Sequence, residues 1–150
     1  MARLVVSAEG AVNAPAETVY GYIADMREHH PRFLPSAFSD FQVESGGIGA
    51  GTVIRYKLTA GGRTREFRTK VAEPEPGKVL TESDTRSSNV TTFTVSPRGA
   101  SSLVRISSAW DGAGGVGGLL ERMFAPRVLR AILADELKRL DAYARERQTA

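Results

Sequence analysis

The chain contains no cysteine. Disulfides, thiolate metal sites and cysteine nucleophiles are therefore excluded, and the absence fits a reducing compartment. Histidine is almost as scarce: there are two, His29 and His30, side by side. Neighbours in one short loop cannot supply a Ser-His-Asp set. They do not easily ligate one metal together, and no Asp or Glu spacing beside them completes a site. No metal and no cofactor are expected. Long apolar runs are also missing. Nothing approaches the ~18 residues of a membrane span, so no stable membrane insertion is expected. The first twelve residues, MARLVVSAEGAV, carry one Arg and only a short apolar run, which does not read as a secretory signal. Cytoplasmic is the expected location.

A one-sided charge pattern is lacking too. The net charge is +3, but basic residues alternate with acids, as in Arg63, Arg65, Glu66, Arg68 and Lys70. A nucleic-acid binder concentrates basic charge on one face, so nucleic acid is not an expected partner. What remains is an ordinary globular composition, 41% hydrophobic and 25% charged over 150 residues. That points to one domain, 1–150, large enough to bury roughly 68–70% of its unfolded surface.

Residues 3–12 alternate weakly and predict a strand. Asn13-Ala14-Pro15-Ala16-Glu17 then opens a helix, with Pro15 at the first helical position and Glu17 in the first turn, where the helix dipole favours negative charge. Val19, Tyr20, Ile23 and Tyr22 give it an apolar face, and it ends near Asp25 or Met26. Pro31 and Pro35 restrict the next stretch to a turn or a short second helix. From Phe38 to Trp110 short alternating runs predict strands at 38–45, 52–60, 63–73, 78–85, 89–96 and 102–110. Gly61-Gly62 reads as a two-residue hairpin turn. Pro74-Glu75-Pro76-Gly77 and Pro97-Arg98-Gly99 read as further turns. Short turns make consecutive strands antiparallel neighbours. The rows Ile54-Tyr56-Leu58, Arg65-Phe67-Thr69-Val71, Thr91-Phe93-Val95 and Val104-Ile106-Ser108-Trp110 are assigned to the concave face.

After the glycine tract 112–118 comes the strongest helical signal, over 117–146. Leu119, Met123, Leu129, Leu133, Leu137 and Leu140 recur at three- and four-residue steps, widened by Val128 and Ile132. Arg130, Asp135, Glu136, Lys138, Arg139 and Asp141 fill the intervening positions. Pro126 predicts a kink or restart near Phe124-Ala125. Such a helix must lie across the sheet. The fold class is α+β: a curved seven-stranded antiparallel sheet around a long C-terminal helix, with two short helices after the first strand.

This is the helix-grip plan, and the chain resembles the START/Bet v 1-like superfamily, in its polyketide cyclase/dehydrase and lipid-transport family. The resemblance rests on Val12 to Tyr20, Ile23-Ala24-Asp25, Pro31-Arg32-Phe33, Gly47 to Thr52, Val71 to Pro76 and Leu137-Lys138-Arg139-Leu140. These are turn and packing features rather than a catalytic signature. The resemblance implies an internal cavity for a lipid, polyketide or aromatic ligand. Family members include carriers, ring-closing or dehydrating enzymes, and accessory proteins, so catalytic residues stay unknown.

The candidate ligand-binding residues are Tyr56, Arg65, Phe67, Thr69, Glu82, Phe93, Ser108, Trp110 and Met123. The aromatics supply lining, a role that overlaps with plain core packing, and the hydroxyls orient a ligand. Arg65 and Glu82, on neighbouring strands, either meet inside the grip or form a solvated surface pair. A carboxylate held in an apolar pocket is a candidate general acid or base. Both histidines are expected at the surface, with a polar contact at the cavity mouth as the alternative. The stretch 46–51 lacks the strand-before, helix-after context of a nucleotide loop. It reads as a mobile hairpin loop that, with 112–118, gates the cavity. The leading expectation is a carrier for a small hydrophobic ligand, monomeric or homodimeric. The rivals are a cyclase or dehydratase that uses Arg65, Glu82 or Tyr56, and a protein-binding accessory factor.

Overall fold

The computed structural model describes residues 3–111 and 126–148. Seven strands form one antiparallel sheet: β1 (Arg3–Val12), β2 (Phe38–Ser45), β3 (Val53–Ala60), β4 (Arg63–Glu75), β5 (Val79–Asp84), β6 (Val90–Arg98) and β7 (Ser101–Asp111). Their order is β1-β7-β6-β5-β4-β3-β2, a six-strand meander whose last strand pairs with the first. Helix α1 (Ala16–Ala24) and a 3-10 turn (His30–Phe33) sit between β1 and β2, and α2 (Pro126–Gln148) closes the fold.

Turn chemistry sets the register. Gly61 and Gly62 both have positive φ, 58° and 77°. Only the mirror-image hairpin turns require this, and they match the twist of the flanking strands. Ala60 therefore pairs with Arg63, and the ladder runs unbroken to Val53 and Lys70. The β6–β7 turn is three residues shorter than expected. Arg98 pairs with Ser101, so Pro97 lies inside the strand and the turn is Gly99-Ala100. Pro74 likewise falls within β4, where the pairing with β5 shifts between Ala72 and Glu75, as a residue without an N–H requires. Pro15 stands one position before the helix rather than at its first residue.

The four rows assigned to the concave face do turn inward. Apart from half-buried Arg65 and Thr91, their members are buried. Helix α1 adds Val19, Tyr20 and Ile23 to this core, and α2 adds Leu129, Leu133, Leu137 and Leu140. Helix α2 lies chiefly along β1, β7 and the 3-10 turn, and the Asp141 carboxylate accepts the Asn13 N–H at 2.9 Å. Two residues of the helix depart from the expected pattern. Val128 is exposed, whereas Glu136 is buried. Leu119, Met123, the tract 112–118 and the anticipated kink lie outside the described residues. Pro126 is the first described residue of the helix.

Residues 46–51 form a tethered loop. The Gly47 carbonyl accepts from Met26 N–H at 2.8 Å, Gly49 N–H donates to the Ala24 carbonyl at 3.0 Å, and Gly51 N–H to that of Val71 at 3.0 Å. Arg27 donates twice to the Gly46 carbonyl, and Glu73 accepts from Ala50 N–H. Gly46 has φ +70°, and a Cβ there would lie 2.8 Å from Thr52 Cα. Glycine serves close approach here, and the freely moving gate expected from its composition is replaced by a bonded turn.

Candidate ligand-binding cavity

The concave face and α2 enclose a cavity. Its walls are Ile54, Tyr56 and Leu58 from β3, Phe67 from β4, Glu82 from β5, Thr91 and Phe93 from β6, and Ser108 and Trp110 from β7. Phe38 and Phe41 from β2, with Leu34 and Asn89, extend the lining, while His30 comes from the 3-10 turn and Leu129, Leu133 and Glu136 from α2. The space open to the centre of a water molecule is about 50 Å³. The wall is mostly aromatic: Tyr56 stacks on Phe67 at 5.4 Å between ring centroids, and Phe38 meets Tyr56 edge-on at 5.4 Å.

Polar groups concentrate at one end. Asp25, just past α1, fixes the turn leading there: its carboxylate accepts from Arg27 and Glu28 N–H, and its carbonyl from His30 N–H at 2.8 Å. This drives the His30 ring inward, to 2% exposure, between Phe33 and Phe93 at centroid distances of 4.8 and 5.4 Å. Its Nδ1 lies 2.7 Å from the Ile23 carbonyl. A carbonyl can only accept, so Nδ1 carries the proton and Nε2 faces inward. There it meets Glu136 Oε2 at 3.6 Å and Glu82 Oε2 at 3.9 Å. One imidazole thus sits between two carboxyl groups from opposite walls, all three nearly inaccessible to solvent.

The electrostatics follow from that burial. For Glu82, burial raises the pKa, the His30 charge lowers it and Glu136 raises it again, leaving it pushed up to about 7. For His30, burial disfavours the cation, but the nearby Glu136 and Glu82 carboxylates and the Ile23 carbonyl outweigh it, so its pKa lies above the usual value. Tyr56 is held well above the usual phenol range by burial first and then by the charges of Glu82, Glu136 and Asp84, so it remains a neutral donor. The site can therefore hold, accept or release a proton near neutrality.

Six of the nine residues singled out from sequence line this cavity: Tyr56, Phe67, Glu82, Phe93, Ser108 and Trp110. Two others do not. Thr69 is buried but is not part of the lining. Arg65 points inward yet does not meet Glu82. Its partner is Asp84, at 3.5 Å, and its guanidinium lies 5.1 Å from the Phe67 ring centroid. The register explains this: Asp84 pairs with Thr69 and Glu82 with Val71, so Asp84 lies nearer Arg65 along the ladder. Met123 lies outside the described residues. His30 departs from the expected surface position. His29 stays half-exposed and its Nδ1 pairs with the Tyr143 hydroxyl at 2.6 Å. Sequence reasoning also passed over Leu34, Phe38, Phe41 and Asn89 in the lining, and with them Glu136. Its signal was its position: residues 129, 133, 136, 137 and 140 form one stripe, and Glu136 is the acid within it. Among the described residues no cluster of His, Asp and Glu has the geometry to hold a metal ion, and no helix is long and apolar enough to cross a membrane.

The family described as polyketide cyclase/dehydrase and lipid transport matches residues 3–145. The chain belongs to this family. The chain is similar to the KanY protein, whose solution structure has a TM-score of 0.85 at 35% identity and covers 97% of this chain and 99% of that one. It shares its fold with norcoclaurine synthase from Thalictrum flavum, solved in complex with dopamine and hydroxybenzaldehyde, at TM-score 0.72 and 18% identity over 97% of this chain and 88% of that one. A stretch of 59 residues is 36% identical to pathogenesis-related protein 2 of Petroselinum crispum. That stretch covers 39% of this chain and 37% of that protein, little more than a third of the relative's length.

Proposed function

We propose that this family member binds a small, largely apolar or aromatic ligand in the cavity between sheet and α2, as one domain spanning the chain. The observation that carries this reading is the aromatic cavity with its polar groups gathered at one end. Burial of apolar surface supplies the affinity, and the polar end orients the ligand. Ser108 and Thr91, whose hydroxyls lie 2.8 Å apart, and Tyr56 add hydrogen-bonding positions. The cavity is narrow, which favours a ring-sized ligand over a long lipid chain. Native mass spectrometry of the purified protein, with solvent extraction, tests this. A co-purified apolar molecule supports it. An empty protein that also ignores a panel of apolar fluorescent probes contradicts it.

The second reading is an enzyme that moves a proton within such a ligand. The buried cluster of His30, Glu82 and Glu136 favours it, because a carrier needs no titrating group in its wall. Glu82 and His30 would exchange the proton and Tyr56 would polarise a carbonyl, while Arg65, already paired, contributes less. The accessory-factor reading has less support: among the described residues the large exposed hydrophobics are Val5 on β1, Ile48 in the loop 46–51 and Val128 on α2.

A further inference from the structure

We infer that the ligand carries a cationic nitrogen, a protonated amine or its equivalent, seated against the carboxyl groups of Glu82 and Glu136. The inference rests on the cavity being a ligand site and adds the ligand's chemical class. Three observations lead to it.

The first is charge balance. Among the described residues, the ionisable groups facing this end of the cavity are His30 from the 3-10 turn, Glu82 from β5, Glu136 from α2 and the phenol of Tyr56 from β3. The other charges nearby among the described residues are Asp84 and Arg65, which compensate one another. One imidazolium can balance one carboxylate. The second carboxyl must take up a proton or meet a cation, because an uncompensated buried charge is strongly unfavourable.

The second is unused bonding capacity. Glu82 Oε2 and Glu136 Oε2 are both buried and have no hydrogen-bond partner among the described residues. Both lie beyond hydrogen-bond distance from His30 Nε2, at 3.9 and 3.6 Å. Among the described lining residues the unpartnered groups are three acceptors, Glu82 Oε2, Glu136 Oε2 and Asn89 Oδ1, and one donor, the Trp110 N–H. The surplus is of acceptors, and an ammonium group presents three donors and no acceptor. A carboxylate or phosphate ligand would bring more acceptors to a place that already has too many.

The third is the surroundings. Phe93, Tyr56, Phe67 and Trp110 line the same chamber, and an aromatic wall favours a cation over an anion. A ring bearing a short aminoalkyl arm satisfies both halves: the ring lies against the aromatics and the nitrogen reaches the carboxyls.

The experiment compares three probes of similar size by isothermal titration and NMR: benzylamine, neutral ethylbenzene and anionic benzoate. The expected result is that benzylamine binds about tenfold or more tightly than ethylbenzene, as hydrogen bonds to charged groups imply, and that benzoate binds most weakly. Benzylamine affinity should rise with pH through the Glu82 titration, since an alkylammonium, like that of lysine, stays charged at about pH 8. Glu136→Gln should remove the preference for benzylamine while keeping ethylbenzene binding, and that retained binding also shows that the variant is folded. Equal binding of ethylbenzene and benzylamine overturns the inference and leaves the cavity reading intact. Tighter binding of benzoate also overturns it. Failure of all three to bind counts against the cavity reading itself, and the inference falls with it.

Discussion

Glu82→Gln removes a titration while keeping the side chain's shape, and the structure sets the size of the effect. In the folded protein the Glu82 carboxyl is held at about 7, against 4.5 for the free side chain. At about 1.4 kcal/mol per tenfold, that difference corresponds to about 3 kcal/mol. The sign follows from which state binds the proton more tightly, and here it is the folded state. The contribution is complete below about pH 4.5, shrinks as pH rises, and is lost above about pH 7. His30 acts in the same direction. Its pKa is raised above 6.5, so its stabilisation is present below that value and fades as pH passes the folded one. Wild-type stability should therefore fall between about pH 5 and pH 8 by about 3 kcal/mol or more. The Glu82→Gln protein should show a flatter profile and be the more stable of the two at about pH 8. Urea denaturation across that range measures it directly. In thermal melts the difference should appear as about 6–12 °C at this chain length. A wild-type profile that is flat or rises with pH would refute the reasoning, as would a Glu82→Gln profile as steep as wild type.

Further expectations concern the frame around the cavity. Phe93→Ala deletes a buried ring beside His30 and should cost about 3–5 kcal/mol in urea denaturation. Gly46→Ala places a Cβ against the Thr52 backbone at positive φ and should lower stability by about 1–3 kcal/mol. Gly21→Ala, in α1 with open space around it, should raise stability by about 0.5–1 kcal/mol. Opposite signs from the same substitution are the check. Glu73→Ala removes the acceptor for both the Tyr20 hydroxyl and the Ala50 N–H. It should cost about 1–3 kcal/mol and speed amide exchange in the loop 46–51.

The fold was legible because its signals are local. Alternation assigned the faces of β3, β4, β6 and β7, and Gly61-Gly62 determined a hairpin by conformational necessity. Strand ends were missed where proline sits inside a strand, at Pro74 and Pro97, because a bulge or strand end tolerates a missing N–H that a central position would not. The aromatic side of the cavity followed from the same alternation. Its polar end did not, since it depends on three elements meeting. His30 is carried inward by its hydrogen bonds to the carbonyls of Asp25 and Ile23, which no spacing rule encodes. Arg65 and Glu82 both face inward as their rows imply, but their pairing depended on a register of two residues along the β4–β5 ladder. Glu136 alone left a readable trace, as an acid in an apolar stripe.

The most direct test of the central claim uses Trp110, the single tryptophan. It is buried, and its indole N–H has no hydrogen-bond partner among the described residues. That group gives one NMR resonance from the cavity wall, which can be followed while ethylbenzene and then benzylamine are titrated in. The account predicts a saturable one-to-one shift, accompanied by shifts at Phe67, Phe93 and His30 and not on the outer face of the sheet. An unmoved Trp110 resonance, or shifts confined to the outer face, would contradict it.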